Sequence, residues 1–272
     1  MIRSAVSFLL GSLLLGSAAL RPNIIVFLVD DYDKPETSVY GGKVLTPNLD
    51  RLAREGMTFH NAHVTSTVCT PSRYTFLTGR YAGSSHSRMY LDLFPKGRQG
   101  LPAFNVALEP DNLNVARVLT EAGYATGFVG KYHVGEEHPR GLHEIPKNAE
   151  FTRALDRKFH ENEKRQRELI RQRGFTWAKN IYWGNTKEPF KGHNPEWTIA
   201  AALEFIDEHR ESPFYLHYCT TLLHGPNGEW HRSLMEKELM SGEGKLKQPV
   251  PGMTSRASVM KRIREAGQSE QE

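Results

Sequence analysis

The chain has 272 residues, a net charge of +4 and 39% hydrophobic residues. That is enough apolar content for a sizeable core, and it excludes a disordered chain or a bundle of membrane spans. The positive excess is local: residues 153–173 hold eight Arg or Lys against four Asp or Glu, and the rest of the chain has 27 of each sign. No broad basic face for nucleic acid is left, and the segment reads as a solvated helix instead of a binding tail.

At the start, Arg3 precedes an apolar run from Ala5 to Leu20, and Ser17-Ala18-Ala19 supplies small residues for cleavage. The pattern is that of a secretory signal peptide over residues 1–19. The run is shorter than the ~20 residues a span needs, so no stable membrane span is expected and the protein reads as secreted or periplasmic.

Pro22 to Asp31 is a continuous, β-branched apolar run that ends in two carboxylates. A parallel strand buried on both faces has this composition, and ligands in such folds collect at the carboxyl ends of the strands. Asp30 and Asp31 together offer hard oxygen donors suited to Ca²⁺ or Mg²⁺. Thr46 to Gly56 carries an N-cap, an early proline, helical apolar spacing and a closing glycine, so a short helix is expected. Met57 to Ala62 reads as a strand.

Cys69-Thr70-Pro71-Ser72-Arg73 places a thiol, a proline suited to the first helical position, a hydroxyl and a guanidinium within one turn, and Gly79 closes the helix. Unpaired N–H groups and the macrodipole at such an N-terminus favour an anion, and the planar fork of Arg73 matches a tetrahedral oxyanion. Tyr81 to Pro110 reads as irregular loop, and Asn112 to Ala122 as an amphipathic helix. Tyr124 to Gly130 is a second buried strand, followed by Lys131-Tyr132-His133, in which Lys131 and His133 would face one side. A helix opening at Asn194, with Ile199, Ala202, Leu203 and Ile206 on one face, precedes a third strand, Pro213 to Cys219. His217 reads as a core or supporting residue, and Leu222-Leu223-His224-Gly225-Pro226 brings a further histidine beyond that strand. Met253 to Ala266 is the last expected helix. Alternating helices and buried strands indicate an α/β fold with a mainly parallel sheet sandwiched by helices.

Cys69-x-Pro-Ser-Arg73 with Leu77-Thr78-Gly79 resembles the signature of the sulfatase family, within the alkaline phosphatase superfamily. Gly130-Lys131-x-His133 and His224-x-Pro226 resemble two further patterns of that family. The resemblance implies an alkaline-phosphatase-like fold over residues 20–272, as the N-terminal part of the family's catalytic domain. It further implies that a formylglycine-generating enzyme oxidises Cys69 to formylglycine, the nucleophile. Asp30, Asp31 and the group at position 69 would bind Ca²⁺, with Mg²⁺ as the alternative. Arg73 and Lys131 would hold sulfate oxygens, His133 would act on the formylglycine hydrate, and His224 would assist leaving-group protonation.

Two cysteines in an exported chain otherwise favour a Cys69–Cys219 disulfide. With Cys69 required as a nucleophile precursor, Cys219 reads as a buried core thiol. The family adds, after the His-x-Pro loop, a strand ending in Asp-Asn or Asp-His and a further lysine; this sequence shows no such element, so the domain reads as truncated at its C-terminus. The expected function is hydrolysis of sulfate monoesters, of sulfated carbohydrates above other sulfated small molecules. The alternatives are a phosphonate or phosphate ester hydrolase of the same superfamily, and an inactive remnant.

Overall fold

The computed structural model of the chain describes residues 21–135, 142–146, 149–185, 190, 194–221, 224, 240–241, 244–245 and 256–267. The expected signal peptide, and the residues flanking His224, lie outside that set. Four parallel strands form the sheet: β1 (Ile24–Leu28), β2 (Ala125–Lys131), β3 (Trp177–Tyr182) and β4 (Phe214–Cys219), in spatial order β1-β4-β2-β3. The described helices are α1 (Pro47–Glu55), α2 (Cys69–Thr78), α3 (Arg88–Leu93), α4 (Val115–Glu121), α5 (Arg153–Gln172), α6 (Asn194–His209) and α7 (Arg256–Glu265).

The period-two alternation of the strands sorts the core into two layers. On one face, Tyr215 and Cys219 of β4 and Phe128 of β2 pack with Tyr74 and Leu77 of α2 and Ala116 of α4. On the other, Leu216 and Tyr218 of β4 and Val129 of β2 meet Ala201, Ala202 and Phe205 of α6. Phe205 is fully buried, a contribution of roughly 1.5–3 kcal/mol. The helix–sheet–helix sandwich read from the sequence is therefore present. At its far edge, Leu155 and Phe159 of α5 close over Tyr182 with Phe190 and Trp197. The strongly basic α5 is thus amphipathic, with a buried face, and is not solvated all round as the charge count suggested.

Several local expectations are corrected. β1 is not buried on both faces: it is an edge strand, and Ile25 and Phe27 are 53% and 52% exposed because α6 does not reach over it. Residues 57–62 form no strand, and Met57 and Phe59 are exposed, since among the described residues no neighbouring strand offers them a ladder. Helix α2 begins at Cys69, so Pro71 occupies its third position and not its first. Helix α4 begins after Asn114, whose side chain accepts from the Ala116 and Arg117 N–H groups at 3.0 and 3.2 Å, a cap worth ~1 kcal/mol. The loop expected over 81–110 contains α3 and the buried Val106, Ala107 and Leu108. Leu203 is 42% exposed and leaves the packed face of α6. Strand β3, interrupted by Lys179 and Asn180, is not among the expected strands.

Candidate active site

Strand ends and one helix start converge at the carboxyl edge of the sheet. A cavity of about 450 Å³ there is lined by Asp30, Asp31, Cys69, Ser72, Arg73 and His224 among others. Asp30 follows β1 and is almost fully buried. Asp31 turns the chain with φ 56°, a left-handed conformation that Asp tolerates better than most residues. Cys69 is the first residue of α2, and no side chain caps that helix end, so its first N–H groups remain directed at the cavity.

Lys131, the last residue of β2, is fully buried. Its Nζ donates to Asp30 Oδ2 at 2.5 Å and to Asn185 Oδ1 at 2.8 Å. Arg73 lies 3.5 Å from the same Asp30 oxygen and donates to the Lys131 carbonyl at 2.9 Å. Two buried cations therefore share one buried carboxylate, while the carboxylates of Asp31 and Asp33 also line the cavity. The aim of Lys131 depends on a β-bulge. The β2–β3 register shifts between Val129 and Gly130, Asn180 is the extra residue at φ 54°, and Gly130 has φ 90°. A Cβ at Gly130 would collide with the Cys219 carbonyl, so only glycine fits.

His133 lies just past β2, not on it, with φ 44°. The turn, and not strand alternation, brings its Nδ1 to 3.2 Å from Cys69 Sγ. Burial, reinforced by the Lys131 and Arg73 charges, lowers its pKa to about 3, so the ring is neutral and a weak base until a negative charge comes beside it. Phe104, from the segment expected to be loop, lies 5.5 Å from this ring between centroids. Both cysteines are free, in accord with the motif and against a disulfide. Cys219 is fully buried, and burial raises its pKa despite the nearby Arg73, which makes it an inert core thiol. His217 is also a core residue, bonded to the Tyr215 hydroxyl at 2.7 Å, and burial followed by the Arg73 charge lowers its pKa to about 3.

Sequence reasoning missed two participants. Asn185, beyond β3, joins Lys131 to His224, its Nδ2 standing 3.0 Å from His224 Nδ1. The available signal was Ile181-Tyr182-Trp183 running into Gly184-Asn185, the same strand-to-polar change that marked the other strand ends. Glu109 is buried behind α2 and accepts from Ser85 Oγ at 2.7 Å, the His86 N–H at 2.8 Å, Asn112 Nδ2 at 2.8 Å and Tyr74 OH at 3.1 Å. Burial alone would raise its pKa, but these hydrogen bonds outweigh it and hold the carboxyl below its ordinary value. Tyr74 follows Arg73 directly, so this network anchors the helix that carries the guanidinium.

Asp30 and Asp31 are hard oxygen donors of the kind that suits Ca²⁺ or Mg²⁺. In number they fall short of the roughly six to eight oxygens Ca²⁺ prefers. No group of three or more His, Cys, Asp or Glu side chains converges as a metal centre among the described residues.

No described helix is long and apolar enough to cross a membrane. The profile of the sulfatase family matches residues 22–238. Among curated proteins, the chain is 41% identical over 125 residues to mouse steryl-sulfatase, covering 44% of this chain and 19% of that one. It is 41% identical over 123 residues to the N-acetylgalactosamine-6-O-sulfatase of Bacteroides thetaiotaomicron, covering 44% and 22%. The matched stretch thus spans about a fifth of these relatives. A solved Bacteroides thetaiotaomicron protein from work on glycosaminoglycan metabolism shares the fold, with a TM-score of 0.55 and 23% identity over 76% of this chain and 52% of that one. The match over most of its length shows that the chain belongs to the sulfatase family.

Proposed function

We propose that the protein is an exported sulfuric ester hydrolase whose nucleophile is made from Cys69. The observation that supports this most directly is the placement of Cys69 at an uncapped helix start, 3.2 Å from a neutral His133, beside the buried Arg73 and Lys131. Oxidised to formylglycine, position 69 would supply a hydrated aldehyde as the nucleophile toward sulfur. A divalent cation held by Asp30 and Asp31 would add positive charge at the sulfuryl oxygens.

The chain's own groups perform the remaining tasks. Arg73 and Lys131 bind the negative charge of the sulfuryl group in a site where their orientation is already fixed by Asp30 and by each other. His133 accepts a proton from the group at position 69. His224 stands across the cavity and serves the departing oxygen. Sulfated carbohydrates are the proposed substrates: the N-acetylgalactosamine-6-O-sulfatase matches as well as the steryl-sulfatase, and an exported enzyme meets extracellular polymers. Residues 1–19 would be the export signal, and residues 20–272 the N-terminal part of the catalytic domain.

Mass spectrometry of the Cys69 peptide from the native host, paired with turnover of sulfate and phosphate monoesters, tests this reading. Formylglycine at position 69, sulfate turnover and its abolition in Cys69→Ala are expected. An unmodified thiol together with no turnover would overturn it in favour of a remnant, and faster phosphate turnover would shift the assignment to the phosphoester branch.

A further inference from the structure

The lining of the catalytic cavity is mixed. Val64 and Phe104 contribute apolar surface to it and are 70% and 51% exposed, whereas Asp31, Tyr32 and Asp33 contribute polar groups. Local structure holds Phe104 in place. The Ala103 N–H donates to Asn105 Oδ1 at 2.7 Å, and Asn105 Nδ2 donates to the Leu101 carbonyl at 3.2 Å. Val106, Ala107 and Leu108 are buried directly after it, and the Leu108 N–H donates to the Val134 carbonyl at 2.7 Å. The turn is thus anchored at its base while the phenyl ring stays half in water. His133 connects that ring to the nucleophile position: its Nδ1 lies 3.2 Å from Cys69 Sγ, and its ring lies 5.5 Å from the phenyl centroid at a tilt of 31°. Apolar surface kept wet and already ordered beside a reacting group gains by being covered, and the ordering has no further cost. The part of a substrate joined to its sulfo group is what comes within reach.

Resting on the hydrolase reading above, we infer that Phe104 is a specificity-determining residue that receives the C–H face of the sugar ring bearing the sulfate. The electron-rich face of the phenyl ring attracts the weakly positive C–H groups, and water leaves both surfaces. A pyranose also carries hydroxyl donors around its rim, and the Asp33 carboxylate lining the same cavity is an acceptor for them. An n-alkyl alcohol matches Val64 and Phe104 but offers Asp33 no donor. The mixed lining therefore selects a sugar over an alkyl chain.

Calorimetry on the full-length Cys69→Ala protein reads binding without turnover. N-acetylglucosamine 6-sulfate and N-acetylgalactosamine 6-sulfate are compared with n-hexyl sulfate and inorganic sulfate. At least one sugar ester should bind more tightly than both of the other ligands. Adding Phe104→Ala should weaken that sugar ester about 5- to 10-fold more than inorganic sulfate, and Phe104→Tyr, which keeps the aromatic face, should recover most of the loss. Tighter binding of n-hexyl sulfate than of both sugar esters overturns the inference, as does equal weakening of sugar ester and inorganic sulfate by Phe104→Ala.

Turnover by the matured enzyme separates this inference from the reading beneath it. Phe104→Ala should act on KM for the sugar ester more than on kcat. A loss confined to kcat overturns the inference alone, because the ring would then serve His133 and not the sugar. Absence of wild-type turnover with every ester overturns the hydrolase reading itself.

Discussion

Strands β1 and β4 are neighbours in one parallel sheet and read almost alike as apolar runs, yet they occupy different environments. Every residue of β4 is buried, whereas β1 alternates between half-buried and exposed positions. β4 has a strand on each side and a helical layer on each face, while among the described residues β1 has β4 as its one strand partner and no cover over Ile25 and Phe27. Phe27 does stack on Tyr218, with ring centroids 5.0 Å apart, so part of its surface still packs on the central strand. The comparison teaches that sheet position, and not hydrophobicity alone, sets how much a strand contributes to stability. It also shows what keeps the end of the exposed strand in register for chemistry: the bond from Asp30 to the buried Lys131.

Removing that bond should have the largest effect. Lys131→Ala leaves the buried Asp30 facing Arg73 at 3.5 Å, so a stability loss of about 3–5 kcal/mol is expected by urea unfolding, together with loss of turnover. A change below 1 kcal/mol would show that the end of β1 does not depend on this pair.

Leu216→Ala in the middle of β4 should cost roughly 2–5 kcal/mol, since both faces there are packed and the cavity cannot collapse. An effect that small on β4 as on an exposed site would contradict the burial contrast drawn here.

Acid should weaken the central strand next. His217 is buried with a pKa lowered from 6.5 to about 3, so between these values the unfolded chain binds the proton and the folded chain does not. Its contribution is complete above pH 6.5 and declines as pH falls toward 3, by on the order of 2 kcal/mol at pH 5. His133 adds to the loss with the same sign. Urea unfolding at pH 7 and pH 5 should show a smaller drop in His217→Gln than in the wild type; an unchanged drop would assign the acid sensitivity to other groups.

Ile25→Ala on the exposed face of β1 should be the mildest change, under about 1 kcal/mol, because much of the side chain already contacts water. A cost matching that of Leu216→Ala would mean that this face is covered in solution.

The sequence by itself determined the fold class, the three strand ends that carry Asp30, Lys131 and His224, and the helix start that carries Cys69. These are local matters: apolar runs, turn residues and a dense motif are written in adjacent positions. It also separated the two cysteines, because one lies in the motif and the other in an apolar strand. What only the tertiary structure decided depends on partners distant in sequence. β3 was illegible because its Lys179 and Asn180 interrupt the apolar pattern. Lys179 is satisfied by Glu204 of α6 at 2.7 Å, and Asn180 donates to the Trp197 carbonyl at 2.6 Å. The exposure of β1 follows from its place at the edge, which no local pattern encodes. The contact of His133 with Cys69 requires a left-handed backbone after the strand, and the relay through Asn185 joins side chains 54 and 39 positions apart. Hydrogen bonds of that reach are fixed by packing, and packing is decided only when the whole sheet closes.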